Sequence, residues 1–309
     1  MSDGSGFSEA KRALLEGYLR GGQDLSKATK EIKALDRASS ASRANAQSGV
    51  ELRAPVVAIQ ARGGRVPFFF PHVHWEGGAT YCFTLAHELG PDQPFYVVQP
   101  YRFDVRQEPP ALEDIAAECI KSVRAIQPEG PYRLGGYCGA GFIVYEMAQQ
   151  LDAAGQQVEK LIMVEPGVGP YYAPVLGWTG KRLRKIGTLL RLTSDRQLSW
   201  FLRMRHIYKS VRYPGYRSAF RFSLAPKQDL LRVDWLAIFV WIVSGYVPRP
   251  YPGKVTYLWA RDESGSHRSW WLRTFIAQET EVYYTAGDRS NCRSTYVRDL
   301  AAQLRASLS

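Results

Sequence analysis

Hydrophobic runs of two kinds alternate along the chain from residue 56 onward. Short runs rich in β-branched and aromatic residues predict strands at 56–59, 66–70, 95–99, 132–136, 160–164, 254–259 and 281–284. Segments with apolar residues at helical spacing predict helices at 79–89, 112–126, 141–154, 270–276 and 295–308. Strands that alternate with helices over short connections predict an α/β fold, with a mostly parallel sheet covered by helices on both faces.

The N-terminal segment, residues 1–50, has a different pattern. Apolar residues at helical spacing in 8–20, followed by Gly21 and Gly22, predict a short amphipathic helix. The segment up to Ser48 is rich in serine and alanine and predicts a flexible linker. We interpret the segment either as a disordered tail or as a docking helix for a partner protein. The α/β domain is expected to span 51–309.

The alternation of strands and helices stops after Gly167. Residues 168–232 are rich in arginine and lysine with apolar residues between them, and an insertion at this place predicts a helical lid over the edge of the sheet. The apolar segment 235–247 is too short to span a bilayer and predicts a buried helix closing the lid, with a membrane-leaning face as the alternative. Three aromatic residues indicate a hydrophobic substrate chamber in the lid, namely Trp178, Trp200 and Phe201.

Charge and cysteine spacing narrow the class of protein. The net charge of +11 favours an acidic partner. No nucleic-acid-binding motif accompanies the basic residues, so we expect no nucleic-acid partner, and we expect no membrane association. The absence of C-x-x-C spacing predicts reduced thiols in a cytoplasmic protein and argues against a metal site. The polar N-terminus lacks the apolar region of a signal peptide.

The most informative stretch is 134–141, which reads L-G-G-Y-C-G-A-G and joins a predicted strand to a predicted helix. Cys138 lies at the centre of a G-x-C-x-G pattern, which resembles the G-x-S-x-G nucleophile elbow of α/β-hydrolases. Small residues at Gly136 and Ala140 permit a sharp turn, and the following helix directs its N-terminus at the thiol. The pattern alone is equally typical of a small core cysteine.

Longer motifs extend this resemblance from about residue 56 to residue 308. They read H-W-E-G-G at 74–78, L-G-P-D-Q-P-F at 89–95, I-Q-P-E-G-P-Y at 126–132 and P-R-P-Y-P-G at 248–253. On these motifs the chain resembles the thioesterase domains of polyketide and nonribosomal peptide synthetases. The resemblance implies an α/β-hydrolase fold with an inserted helical lid. It also implies an acyl chain delivered on the 4′-phosphopantetheine arm of an acidic carrier protein or synthetase module, and no further cofactor.

The resemblance assigns a role to each member of the catalytic triad. Cys138 stands at the nucleophile position, and Glu165 stands where the family places its aspartate. Both residues follow predicted parallel strands, so we expect them to face one crevice. The alternative for Glu165 is an ordinary surface acid at a strand end. The position of the family histidine falls on Arg289.

The implied oxyanion donors are backbone N–H groups at two places in the chain. One is Gly139, directly after the candidate nucleophile, and the other is the 74–78 loop, with Trp75 and Gly77. Backbone donors depend on the course of the chain, so these assignments depend on the resemblance.

The replacements at the triad positions change the expected chemistry. A cysteine near a helix N-terminus can ionise without a base, whereas the guanidinium of Arg289 cannot remove a proton from water at neutral pH. Arg289 is expected to favour the thiolate of Cys138 and to pair with Glu165. Transfer of the acyl group to an amine, a thiol or an intramolecular nucleophile is therefore easier to reconcile with these residues than hydrolysis.

Two further interpretations stay open. His267, beside Asp262 and Glu263 in a predicted loop, is the candidate for a relocated catalytic base, with a solvated polar loop as the alternative. The absence of the triad histidine is also compatible with a catalytically impaired homologue. Such a protein would bind a carrier protein or an acyl chain and assist a neighbouring enzyme.

Overall fold

The computed structural model describes residues 54–73, 81–104, 107–167, 174–212, 231–232, 234–262 and 265–309. The predicted N-terminal helix and linker lie outside the described residues. So do the 74–78 loop, with Trp75 and Gly77, and most of the basic segment 212–221. The predictions made for these segments stay predictions.

The chain divides into two compact units. The first is formed by the described parts of Met1–Tyr101, Ala116–Pro166 and Arg249–Ser309, and the second by those of Arg102–Ile115 and Gly167–Pro248. The first unit contains the sheet and, as shown below, Cys138, Glu165 and Arg289.

A seven-stranded sheet forms the first unit. Its strands are β1 (Val56–Gln60), β2 (Phe68–Pro71), β3 (Phe95–Val98), β4 (Tyr132–Tyr137), β5 (Val158–Val164), β6 (Tyr251–Ala260) and β7 (Ala277–Thr285). They are ordered β1-β3-β2-β4-β5-β6-β7. Only the β1–β3 pair is antiparallel. The predicted mostly parallel α/β sheet is therefore confirmed, and the neighbouring strands β4, β5 and β6 all end at the same edge.

Helices follow the strands as the hydrophobic pattern predicts. They are α1 (Tyr81–Leu89), α2 (Leu112–Arg124), α3 (Ala140–Ala153) and, at the end of the chain, α8 (Val297–Leu308). Helix α8 buries Val297, Leu300, Ala301, Leu304 and Leu308, a spacing of three and four residues that directs one apolar face into the core. Helix α3 is buried around most of its circumference, so it fixes the position of the turn that precedes it.

The prediction for the segment after β6 was wrong in one respect. Helix α7 spans Gly265–Thr274 and therefore begins five residues before the predicted start at 270, so the backbone of His267 lies in its first turn and not in a loop. The polar run before Trp270 carries no apolar repeat, and hydrophobic periodicity therefore missed the beginning of this helix. The side chain of His267 lies outside the described residues.

Three helices, α4 (Pro174–Leu189), α5 (Ser194–Arg212) and α6 (Trp235–Gly245), belong to the second unit. Arg184 of α4 lies over the Trp241 ring of α6 at 3.9 Å and donates a hydrogen bond to the Trp241 carbonyl at 3.0 Å. The side chain of Asp234 caps α6 by accepting from the Ala237 N–H at 3.0 Å. Helix α6 is the buried helix that its apolar sequence predicts.

No helix in the described part of the chain is both long and apolar enough to cross a lipid bilayer. Helix α6, the most apolar of them, has eleven residues. A transmembrane helix needs about 20.

Candidate active site

Cys138 lies in a strained turn between β4 and α3. Its φ of 57° is in the left-handed region, which costs a residue other than glycine about 1–2 kcal/mol. Two backbone hydrogen bonds hold the turn: the Cys138 N–H donates to the Val164 carbonyl at 2.9 Å, and the Gly141 N–H donates to the Cys138 carbonyl at 3.1 Å. Gly139 is the N-cap of α3. The thiol is therefore carried at the positive end of a helix dipole, where an anion is favoured.

The sharpness of this turn depends on Gly136. A Cβ atom at this position would lie 2.9 Å from the backbone C and O atoms of Ala140, closer than real Cβ contacts allow. The small residue that the elbow pattern predicted is thus required by the close approach of strand β4 to the first turn of α3.

Glu165 follows the neighbouring strand and is fully buried. Its φ of 43° is also left-handed, its N–H donates to the Leu258 carbonyl at 2.9 Å, and its carboxylate accepts from the Ala260 N–H. The interpretation of Glu165 as a surface acid is wrong, because strand β6 covers it. Strained residues at two adjacent strand ends mark this edge as a functional-site candidate.

Arg289 reaches Cys138 from the loop between β7 and α8. Its Nη2 atom donates to the Cys138 Sγ at 3.2 Å, across 151 residues of sequence. Burial alone would lower the pKa of the guanidinium. Attraction to the thiolate form of Cys138, the hydrogen bond to its sulfur, and the charges of Tyr137 and Glu165 outweigh burial and raise that pKa. The arginine therefore stays cationic beside the sulfur.

The turn that carries Arg289 is fixed by the carboxylate of Asp288. This group accepts from the Ser290 hydroxyl at 2.5 Å, from the Ser290 N–H at 2.7 Å and from the Asn291 N–H at 3.1 Å, and these hydrogen bonds lower its pKa. The Asp288 N–H in turn donates to the Asn291 side-chain oxygen at 2.8 Å. Arg289 is thus presented from a closed polar turn.

Two residues that the sequence did not single out, Tyr137 and Arg293, pack next to the Cys138–Arg289 pair. The Tyr137 hydroxyl donates to the Arg289 carbonyl at 2.5 Å. The guanidinium of Arg293 lies over the rings of Tyr137 and Tyr81 at 5.1 and 5.3 Å. The only sequence signal for Tyr137 was its place beside the candidate nucleophile, and Arg293 had none.

The remaining candidate residues are spread over the two units. Phe201 is buried in the second unit against Trp241, with ring centroids 5.3 Å apart. Trp178 and Trp200 of the same unit are 59% and 48% exposed. A substrate chamber lined by these three residues stays a prediction. Cys292 is buried in the core of the first unit.

The described residues contain no group of three or more His, Cys, Asp or Glu side chains that could hold a metal ion. The four cysteines are thiols and not disulfide partners. In the first unit, the thiol of Cys138 lies beside the Arg289 cation, and the carboxylate of Glu165 is buried at the end of the neighbouring strand.

Comparison with protein-family models gives a match to the thioesterase domain over residues 68–171. This region runs from β2 to just beyond β5 and contains both Cys138 and Glu165. Residues 68–171 belong to the thioesterase domain family. The family that the sequence motifs suggested is thereby confirmed.

Relatives among characterised proteins are large biosynthetic synthases. The chain is 36% identical over 123 residues to a dimodular nonribosomal peptide synthase of Bacillus subtilis, covering 39% of this chain and 5% of that protein. It is 34% identical over 116 residues to an indigoidine synthase of Dickeya dadantii, covering 36% and 8%. A non-reducing polyketide synthase of Cladonia grayi is 28% identical over 226 residues, covering 70% and 9%. The chain therefore spans less than a tenth of each of these relatives.

Solved structures agree on the fold. The thioesterase domain of NocB, in covalent complex with a fluorophosphonate nocardicin G analogue, matches with a TM-score of 0.56 at 22% identity, covering 83% of this chain and all of that one. A four-domain nonribosomal peptide synthetase bound to AMP and glycine also gives 0.56 at 22%, covering 87% of this chain and 21% of that one. The predicted α/β-hydrolase fold is thus confirmed.

Proposed function

We propose that this thioesterase domain is an acyl-transfer catalyst that carries its substrate as a thioester on Cys138. The observation that supports this most directly is the 3.2 Å contact between the Arg289 guanidinium and the Cys138 sulfur. A cation at this distance favours a thiolate, which is the reactive form of cysteine. Arg289 thereby replaces a base with a fixed counter-ion.

The loading step is an exchange between two thiols. The Cys138 thiolate attacks the carbonyl carbon of an incoming thioester, the new C–S bond forms, and the bond to the leaving sulfur breaks. The leaving thiolate takes up the proton that the Cys138 thiol had released to solvent. Since one thioester replaces another, no external energy source is needed. Among the described residues, the proposed oxyanion donor is the N–H group of Gly139, at the start of α3.

The release step favours an acceptor with its own lone pair. An amine attacks the acyl-Cys138 carbonyl, the C–N bond forms and the C–S bond breaks, and the excess proton passes to solvent. Cys138 then leaves as a thiolate stabilised by Arg289. Water is a poorer acceptor because a guanidinium cannot take up its proton. Release to an amine, a thiol or an intramolecular nucleophile is therefore proposed ahead of hydrolysis.

The proposed acyl donor is a carrier protein with a phosphopantetheine arm. Synthetase relatives in which the matched region is one part of a much longer chain support this proposal. The net charge of +11 further supports an acidic surface on that partner. Within the synthetase, the proposed role is chain release.

Intact-mass spectrometry tests the loading step. Wild-type protein incubated with acyl-pantetheine thioesters of several chain lengths should gain the mass of one acyl group, and Cys138→Ala should gain none. Peptide mapping should place the group on Cys138. Failure to load any acyl group from an amino-acyl, peptidyl or fatty-acyl series would contradict the proposal.

Two variants separate the counter-ion mechanism from a hidden base. Cys138→Ser should not load, because a serine hydroxyl needs a base and Arg289 supplies none. His267→Gln should load and turn over like the wild type. If instead Cys138→Ser loads and His267→Gln abolishes turnover, then His267 acts as the relocated base and the counter-ion mechanism is wrong.

A second candidate function is favoured by the same contact at Arg289. Since arginine occupies the position where the family has its histidine, the second candidate is an accessory protein that binds a carrier protein or acyl chain without reacting. In a reconstituted pathway, Cys138→Ala would then leave product formation intact. Loss of product in that variant would exclude the accessory function.

A further inference from the structure

The structure assigns a positioning role to Tyr137, whose hydroxyl fixes the Arg289 backbone so that the guanidinium of this residue stays beside the Cys138 sulfur. The inference rests on the proposed function of Cys138 as the reactive thiol. It concerns a residue that never touches the substrate and acts through Arg289.

Two hydrogen bonds join the end of β4 to the loop before α8. Tyr137 is the last residue of β4 and Cys138 is the next residue. Tyr137 contacts Arg289 at its carbonyl, at 2.5 Å, and Cys138 contacts it at its guanidinium, at 3.2 Å. Two adjacent residues thus contact the backbone and the guanidinium of Arg289. These two contacts fix the position of the loop before α8 relative to the elbow.

The Tyr137 ring is itself held on two sides. The Tyr81 ring packs against it edge to face at 5.7 Å, and the Arg293 guanidinium lies over it at 5.1 Å. Burial, followed by the nearby Cys292 and Cys138 thiols, raises the pKa of the Tyr137 hydroxyl. The hydroxyl therefore stays protonated and remains a donor to the Arg289 carbonyl throughout the neutral range.

Arginine needs such support because its side chain is long. The loss of rotamer entropy opposes its confinement to one geometry. The Arg289 guanidinium also interacts electrostatically with the buried Glu165. The carbonyl of Arg289 is also contacted by the Cys292 thiol, at a longer distance of 3.8 Å. Of these two contacts, the Tyr137 hydrogen bond is the shorter and better able to fix the backbone.

Alkylation by two reagents of different charge measures the position of the cation. Iodoacetate is an anion and iodoacetamide is neutral, so the ratio of their rates at Cys138 reports the local positive field independently of acyl transfer. Tyr137→Phe removes the hydroxyl and keeps the ring. The matched control is Tyr145→Phe, because the Tyr145 hydroxyl also donates to loop carbonyls, at Arg249 and Ile276, in the same unit.

The ratio should fall about threefold in Arg289→Gln, the size expected for a partly exposed charge pair. Tyr137→Phe should reproduce at least half of that decrease on a logarithmic scale, and Tyr145→Phe should keep the wild-type ratio. The double variant Tyr137→Phe/Arg289→Gln should fall no further than Arg289→Gln, since both changes act through one guanidinium. Thermal unfolding of each variant identifies any that fails to fold.

Three results in the tyrosine variants and the double variant would overturn the inference. They are a wild-type ratio in Tyr137→Phe, an equal decrease in Tyr145→Phe, or additive decreases in the double variant. An unchanged ratio in Arg289→Gln would overturn it as well, because no cation would then need positioning. Loading of an acyl group onto Cys138 is measured separately by mass, so Tyr137→Phe with a wild-type ratio but intact loading refutes only the positioning role. If Tyr137→Phe fails to fold, Arg293→Met tests the inference instead. This variant removes the cation from the face of the Tyr137 ring and is expected to lower the ratio of the two alkylation rates. An unchanged ratio in Arg293→Met overturns the inference.

Discussion

Replacement of Arg289 by glutamine removes the charge next to Cys138, the proposed nucleophile, and leaves a polar side chain of moderate length in its place. The structure gives the quantity that matters, a distance of 3.2 Å between Nη2 and the Cys138 sulfur. At an effective dielectric constant of about 20, a thiolate and a guanidinium at this distance attract each other by about 5 kcal/mol. Desolvation cancels a large part of this attraction in a half-buried site.

Hydrogen bonds to charged groups contribute about 1.5–3 kcal/mol net, and about 1.4 kcal/mol corresponds to a tenfold change in a rate. A thiolate that is less stabilised is also more nucleophilic, with a Brønsted coefficient of about 0.4–0.5. The two effects partly cancel. We therefore expect the alkylation rate of Cys138 at neutral pH to fall by about three- to tenfold in Arg289→Gln.

The assay is the rate of iodoacetamide incorporation at Cys138, followed by intact mass. Competing thiols react slowly, because burial raises the pKa of Cys119 and Cys292 to about 12 and also raises that of Cys82. The control is Arg289→Lys, which keeps a positive charge on a shorter side chain and should fall between the wild type and Arg289→Gln. An unchanged or faster rate in Arg289→Gln would refute the counter-ion mechanism.

Three further predictions follow from the elements that surround the thiol. Glu165→Gln keeps the acceptor for the Ala260 N–H but removes the charge that interacts with Arg289. The melting temperature should fall, and alkylation of Cys138 should accelerate. A slower alkylation would contradict the competition between the two anions for Arg289. Gly136→Ala should cost about 1–3 kcal/mol in urea unfolding, because its Cβ meets the Ala140 backbone; a cost below a few tenths would show that the turn relaxes easily. The Asp288 carboxyl has a lowered pKa in the folded protein, so its ionised form contributes stability above the unfolded-state pKa. The melting temperature of the wild type should therefore exceed that of Asp288→Asn at pH 7, and this difference should disappear as the pH falls through the lowered pKa. A difference that persists in acid would point to a cause other than the charge.

The sequence predicted the sheet and most helices because their apolar residues repeat at the spacing that each element requires. It placed strand β4 at 132–136 and helix α3 at 141–154, and the structure has them at Tyr132–Tyr137 and Ala140–Ala153. The polar beginning of α7 lacked such a repeat and was missed, as were the first four residues of β7, which was predicted at 281–284 and spans Ala277–Thr285. Local patterns of this kind are carried by neighbouring residues, so they can be read without knowledge of the fold.

The elbow was also a local feature. Glycines around Cys138 and the end of a strand before Glu165 were sufficient to predict a presented thiol and an acid at one edge of the sheet. The parallel pairing of β4 with β5 then brings Tyr137 opposite Val164, so the residues that follow these two strands lie side by side. This juxtaposition follows from topology alone, because the carboxyl ends of adjacent parallel strands meet at one edge.

By itself, then, the sequence determined the fold class, the family and the place of the candidate nucleophile. Tertiary structure decided that Glu165 is buried beneath β6, that the Arg289 guanidinium lies beside Cys138, and that Tyr137 holds the backbone of Arg289. The physical reason is that these contacts join residues 95, 151 and 152 positions apart. A hydrophobic period of two or 3.6 residues carries no information about where a long polar side chain from a distant loop comes to lie.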